Sequence, residues 1–240
     1  MRPLLFISDL HLDDASPDTL AMFERFCRGP ARRAGALYIL GDLFEAWAGD
    51  DVLDQSARRV AKALRQLTST GTATYMLHGN RDFLLGAGFA EACSMTLLPD
   101  PSTLTVGDRR VVLCHGDALC TQDHAYQAIR RALRDPVCQT ALLAKPRAQR
   151  KALARQARET SRATNANKPE GIMDVDPNAV EAMLDAEDAA AMIHGHTHRP
   201  AIHCWRHPLG ARQRVVLGAW GETARYAEAC GGRIRLLDFA

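Results

Sequence analysis

Short apolar runs that each stop at a polar residue of ligand type recur along this chain, and that recurrence constrains its fold more than any other feature. Residues 3–7 end at Ser8-Asp9 with His11 just beyond, 36–40 end at Gly41-Asp42, and 74–78 end at Gly79-Asn80. Residues 109–115 end at His115-Gly116, and 190–194 run into Gly195-His196-Thr197-His198. Further strands are predicted over 214–218 and 233–239, with helices over 17–28 and around 54–69 from the helical spacing of their apolar side chains. Strands alternating with helices predict an α/β protein with a substantial sheet. Ligands of open α/β sheets bind at the carboxyl ends of the strands. Five successive strand ends therefore offer Asp9 and His11, Asp42, Asn80, His115, and His196 with His198 as one candidate site.

Residues 124–168 depart from this pattern. A helix is predicted over 124–135, Pro136 interrupts it, and a strongly basic helix resumes over 145–163. The stretch reads as a helical insertion, a lid carried by a core built from 1–123 and 169–240, with a modest apolar side at Ile129, Leu133, Leu142, Leu143 and Leu153. Pro177, near a helix start, returns the chain to the core. From Arg130 to Lys168 there are eleven Lys or Arg against Asp135 and Glu159, a local charge of +9 in a chain whose net charge is +2. Such asymmetry marks a surface for an anionic partner, whether phosphates, nucleic acid or anionic lipid. Seven scattered cysteines contain no C-x-x-C pair, so neither structural zinc nor a disulfide framework is expected, and a reducing cytoplasm is the simplest home. No run reaches the roughly 18 apolar residues of a membrane span. The N-terminal apolar stretch meets Asp9 too soon for a signal peptide.

Carboxylate, imidazole and amide ligands together suit intermediate divalent ions such as manganese, iron or zinc. Seven ligands are too many for one ion that keeps an open position, whereas two ions sharing a carboxylate would use them all. Paired ions about 3.5–4 Å apart are an established arrangement for phosphoester hydrolysis. The plainer reading, polar residues capping turns, would require all seven to coincide in order.

The blocks D-x-H (Asp9, His11), G-D-x-x-E (Gly41, Asp42, Glu45), G-N-R-D (Gly79 to Asp82), H-G (His115, Gly116) and G-H-T-H (Gly195 to His198) resemble those of the calcineurin-like metallophosphoesterases. The resemblance implies an α/β (α+β) fold, a four-layer αββα sandwich. It implies two manganese ions, one held by Asp9, His11, Asp42 and His198 and one by Asp42, Asn80, His115 and His196, with Asp42 bridging. His194 is left as a strand-end structural residue, and Glu45 as a partner of ligands rather than a ligand. Asp42, Asn80, Arg81 and His115 would be catalytic. Many relatives carry aspartate where Glu45 stands and histidine where Arg81 stands. Without that histidine, help for a basic alkoxide leaving group is lost; a leaving phosphate, with a second pKa of about 6, needs less. Arg81 offers a cationic fork for phosphate oxygens instead. Pyrophosphate cleavage fits better than monoester cleavage.

Longer strings, residues 38–51, 78–86, 115–123, 172–175, 194–203 and 214–220, are similar to those of the UDP-2,3-diacylglucosamine pyrophosphohydrolases of lipid A biosynthesis. That resemblance implies release of UMP and 2,3-diacylglucosamine 1-phosphate. It implies substrate contacts at Asn80, Arg81, Asp123, Ser161, Asn165, Lys168 and His196. The charge asymmetry of the basic segment leads us to expect peripheral attachment to the anionic cytoplasmic face of the inner membrane. No nucleic acid and no obligate protein partner are expected. Two other readings stay open on the residues alone. A nuclease of the same superfamily would track nucleic acid with the basic segment, although Tyr126 is its only aromatic platform. A binding scaffold on a degenerate fold would have no use for seven intact ligands.

Overall fold

The computed structural model describes residues 2–165, 172, 174–208 and 210–240. In chain order its elements are β1 (Leu4–Ile7), α1 (Pro17–Arg28), β2 (Ala36–Leu40), α2 (Gln55–Thr68), β3 (Ala73–Leu77), α3 (Ala87–Cys93), β4 (Thr96–Leu97), β5 (Ser102–Val106) and β6 (Arg109–Leu113). There follow α4 (His124–Arg134), α5 (Pro136–Leu143), α6 (Arg147–Asn165), α7 (Pro177–Ala186), β7 (Ala191–His194), β8 (Ala201–His207), β9 (Gly210–Val216), β10 (Ala224–Cys230) and β11 (Arg233–Phe239). One sheet has the order β11-β10-β1-β2-β3-β4 and the other β5-β6-β7-β9-β8.

Period-two burial stacks these elements into four layers. Phe6, Leu40, Leu77, Val111, Leu113, Ala191, Ile193 and Val215 point into one apolar cluster between the two sheets. Leu5, Ile7, Leu37, Ile39 and Met76 point the other way, against Phe23 and Phe26 of α1, Val60 and Leu64 of α2 and Phe89 of α3. Val112 and Met192 face outward from the second sheet onto Val180 and Leu184 of α7. A strand whose side chains alternate between two apolar layers reads as a continuous apolar run, which is why these central strands stand out in the sequence. The expected αββα sandwich is the fold observed.

Local chemistry sets the helix starts. Asp54 caps α2 by accepting from the Ala57 N–H at 2.8 Å. Asp176 caps α7 and Asp135 caps α5, each followed by a proline at the first helical position, whose missing N–H costs nothing there. Pro136 therefore starts a helix of its own as well as stopping α4. Elements α3, β4, β5, β8 and β10 lie outside the expected set, and β9 begins at Gly210, four residues before the expected 214.

Parallel pairing brings the site together. Strands β1, β2 and β3 run in parallel, with Leu4 opposite Ala36 and Ala36 opposite Ala73, so their carboxyl ends lie side by side. Strands β6, β7 and β9 are also parallel. Helices α4 to α6 cross over these ends and are fastened to the core chiefly by arginines. Arg130 Nε donates to Asp117 at 2.9 Å, and Arg134 Nη2 donates to the carbonyls of His78 and Gly79 at 3.1 and 3.0 Å. Across the cleft, Arg150 pairs with Asp51, with Nη2 to Oδ2 at 2.6 Å, and also reaches the Ala48 carbonyl. No helix among the described residues is long and apolar enough to cross a membrane.

Candidate metal centre and active-site cavity

The loops leaving the strand ends are bent to aim their side chains inward. Asp9, His11, Asp42, His196 and His198 all have positive φ, between 49° and 67°. They are five of the seven non-glycine residues with positive φ among those described, so this backbone strain is concentrated at one place. Left-handed conformations of this kind cost roughly 1–3 kcal/mol each and persist where surrounding bonds over-determine them. Here those bonds are visible. The amides of Leu10 and His11 donate to the Asp42 carbonyl at 2.9 and 3.1 Å, and the His196 amide donates to both carboxylate oxygens of Asp9. Asp82, fully buried, accepts from the amides of Leu43 and Gly79 at 2.8 Å each, tying the β2 loop to the β3 loop. The Arg81 amide donates to Asp42 Oδ1 at 2.8 Å.

The donor atoms fall into two groups. Ligand atoms of Asp9, His11 and His198 lie within 4.8 Å of one another, as do those of Asp9, Asp42 and His115. Asn80 Oδ1 joins the second group, 2.9 Å from His115 Nε2 and 3.0 Å from His196 Nδ1. All seven residues singled out by the sequence thus converge. The carboxylate common to both groups is Asp9, whereas the resemblance implies Asp42 as the bridge; Asp42 Oδ1 lies 3.7 Å from His115 Nε2.

Tautomers test whether a cation fits. His115 Nδ1 faces the Leu40 carbonyl at 2.9 Å, and a carbonyl can only accept, so Nδ1 carries the proton and a neutral ring turns the lone pair of Nε2 inward. That lone pair meets the Asn80 carbonyl oxygen, another acceptor. His11 Nδ1 likewise faces Glu45 Oε2 at 3.2 Å, which leaves its Nε2 pointing at His198 Nε2, 3.2 Å away. Inward-facing lone pairs on imidazole, amide and carboxylate, in a buried place, are a donor set for divalent cations.

The crowded carboxylates draw protons to this site, and a bound divalent cation would displace them. Burial pushes the Asp42 carboxyl up to about 7 despite the neighbouring His115 and His11. Burial alone would lower His115, but the carboxylates of Asp42, Asp9 and Asp117 lift it to about 9. Burial, helped by His115, drops His196 to about 4. Burial would raise Glu45, but hydrogen bonds from His11 and Arg158 outweigh it and hold the carboxyl at about 2. His194 is fully buried and held near 4 by that burial, with Nδ1–H on the Gly195 carbonyl at 2.9 Å. It lies behind the donor groups as a neutral strand-end residue.

A cavity of about 750 Å³ opens over the donor cluster. Its floor includes His11, Asp42, Asn80, His196 and His198. Trp47, Leu84, Ile129, Leu133, Leu142 and Leu153 give it apolar walls, while Arg81, Arg130, Arg134 and Arg158 bring positive charge to it. Arg81 Nε lies 3.7 Å from Asp42 Oδ2 rather than on Asp82 or Glu45. Asp123 lines the cavity and caps α4 through the Tyr126 amide at 3.1 Å, and Ser161 lines it from α6. Asn165 is the last residue of α6, and Lys168 lies outside the described residues. Tyr126 was not anticipated as a site residue. Its ring stacks on His196, 5.9 Å between centroids, and its hydroxyl donates to the fully buried Asp117 at 2.7 Å. The only sequence signal for it was a lone aromatic within the basic segment.

Comparison with known proteins agrees with this geometry. The profile of the calcineurin-like phosphoesterases matches residues 2–200. A Pseudomonas putida (strain W619) protein named UDP-2,3-diacylglucosamine hydrolase is 48% identical over 217 residues, 90% of each chain. A protein of the same name from Escherichia coli O9:H4 (strain HS) is 46% identical over 239 residues, 98% of each chain. With the profile covering both halves of the sandwich and every strand end that carries a ligand-type side chain, the chain belongs to the calcineurin-like phosphoesterase family.

Proposed function

We propose that this protein hydrolyses the pyrophosphate bond of UDP-2,3-diacylglucosamine, releasing UMP and 2,3-diacylglucosamine 1-phosphate, a step of lipid A biosynthesis. One observation carries the reading: a single cavity has an ion-binding floor, arginines around it and an apolar wall supplied by the helices over 124–165. A free nucleotide would have no use for that wall, and a plain lipid none for the floor. The names borne by the two bacterial relatives support the same substrate.

Two divalent ions, manganese by resemblance, would be held by Asp9, His11, Asp42 and His198 and by Asp42, Asn80, His115 and His196. When bound, such a pair supplies Lewis-acid stabilisation of phosphoryl charge and a nucleophile at neutral pH. The remaining work belongs to the chain. Arg81 presents a planar cationic fork to phosphoryl oxygens, and its amide keeps Asp42 oriented. A leaving phosphate, with a second pKa of about 6, asks for no strong general acid, which is consistent with arginine at this position. Asp123, Ser161, Asn165 and Lys168 would hold the sugar and nucleotide parts, with Asn80 and His196 reaching substrate from the floor. Residues 124–168 would act as a lid on the 1–123 and 169–240 core, sheltering acyl chains and excluding water. The basic outer side of the lid would rest on the anionic cytoplasmic face of the inner membrane.

The test is UMP release by purified protein with manganese, from the diacylated substrate and from UDP-N-acetylglucosamine, with and without a chelator. Manganese-dependent UMP from the acylated substrate alone is the expected result. Equal cleavage of both would overturn the acyl-reading role of the lid, and no UMP from either would overturn the substrate assignment.

A further inference from the structure

Glu45, on the loop after β2, joins two parts of the molecule that no sequence pattern links. Its Oε2 lies 3.2 Å from Nδ1 of His11. Its Oε1 accepts from Arg158 Nε at 2.9 Å, from Nη2 of the same arginine, and from Arg162 Nη2 at 2.8 Å. The two arginines stand one turn apart on α6, so both guanidinium groups converge on one oxygen while His11 has the other. Glu45 and Arg158 are nearly enclosed, at 15% and 14% side-chain exposure, whereas Arg162 is 72% exposed. Arg158 also lines the cavity.

We propose that Glu45 is a positioning residue that makes ion binding at His11 and anion binding by the α6 arginines mutually cooperative. The inference rests on the reading of His11 as an ion ligand. An imidazole whose outer N–H donates to a carboxylate is held in the right orientation and is a stronger donor through its inner nitrogen. A carboxylate already neutralised by two guanidinium groups is a poorer acceptor for that N–H. A phosphoryl group entering the cavity offers the arginines competing acceptors, which planar guanidinium groups engage two at a time. As the arginines turn to the phosphoryl oxygens, the charge of Glu45 is released to His11, and the ion there is held more tightly. By linkage, an ion on His11 draws Glu45 away from the arginines and makes them more available to the anion by the same factor.

The test is equilibrium Mn2+ binding without substrate, read as free Mn2+ by electron paramagnetic resonance. It compares wild type, Glu45→Gln, the pair Arg158→Gln with Arg162→Gln, and the triple variant. Glu45→Gln is expected to weaken one ion by about 10–100-fold, the range for losing a partner that orients a ligand. The arginine pair is expected to tighten the same ion severalfold, and to do nothing further once Glu45 is glutamine. An unchanged isotherm in Glu45→Gln, or arginine changes that act equally in both backgrounds, would overturn the proposal. Should Glu45→Gln fail to fold, the arginine pair alone decides: an isotherm matching wild type overturns the coupling. A wild type that takes up no Mn2+ would overturn the ion reading of His11 itself, a result distinct from variants that match a fully loaded wild type.

Discussion

At Gly79 the strand end has no space for a side chain. A Cβ there would run into Asp42 Oδ1 and the Asp42 amide, and a Cβ on Gly41 would sit 2.5 Å from the Gly79 Cα. The β2 and β3 ends therefore touch backbone to backbone, which lets Asp42 and Asn80 share one site. Gly79→Ala should cost about 1–3 kcal/mol by overpacking and displace Asp42. The check is a lower urea midpoint together with reduced manganese uptake, whereas Gly221→Ala, whose Cβ meets nothing within 4 Å, should change neither. A normal midpoint in Gly79→Ala would mean that the two loops separate easily. Residues of this kind were legible in the sequence because ion chemistry admits few residue types and each sits directly after a strand. Tyr126 and the arginine partners of Glu45 were not, because their contacts lie 70 residues away at His196 and 113 at Arg158. A long-range pairing leaves no mark in local spacing.

Elements were readable in proportion to how deeply they lie. Strands β1, β2, β6 and β7 have apolar layers on both sides and appear as unbroken apolar runs. Strand β8 is an edge strand with Ile202 at 41% exposure, and its sequence Ala-Ile-His-Cys-Trp-Arg-His shows no such run. In β10 alanines face both layers beside Tyr226 and Glu228, so small side chains hide its alternation. The helices over 124–165 were readable as helices, but nothing in their composition showed how they are fastened. At the start of α6 the fastening is Arg150, almost fully enclosed, on Asp51. Asp51→Asn should loosen that end, while the Ala48 and Lys145 carbonyls keep part of the anchorage. Hydrogen exchange should then speed up over residues 147–158 and leave β1 to β3 protected. Unchanged exchange across α6 would show that apolar contacts, not this ion pair, hold the helix down.

The molecule as a whole is polarised. With +9 between residues 130 and 168 and a net charge of +2, everything else sums to −7. A uniform surface of that net charge would attract anions weakly from every side; here the excess cations belong to one helical segment, where Arg130, Arg147, Arg150, Arg158 and Arg162 pair with Asp117, Asp51 and Glu45 and Lys151 and Arg155 are exposed. The same helical segment exposes Val137 at 77% and Leu143 at 42%, while Ile129 and Leu153, at 57% and 41% exposure, line the cavity. Apolar groups that enter the headgroup region, ringed by cations that meet anionic lipid, are the combination that holds interfacial helices on membranes. Each well-placed Lys or Arg contributes about 1 kcal/mol at an anionic surface, so reversing two should weaken attachment by at least about tenfold. Lys151 and Arg155 are exposed on α6 and lie outside the cavity lining, which makes them the pair to reverse. The double variant Lys151→Glu, Arg155→Glu should co-sediment far less with vesicles containing phosphatidylglycerol. Wild type should lose the same association in high salt and bind purely zwitterionic vesicles weakly. Turnover of substrate dispersed in neutral detergent should be unaffected, since neither side chain reaches the cavity. Equal co-sedimentation of wild type and variant would mean that the charged face is turned toward solvent, and would leave the cavity to extract its lipid without help from the surface.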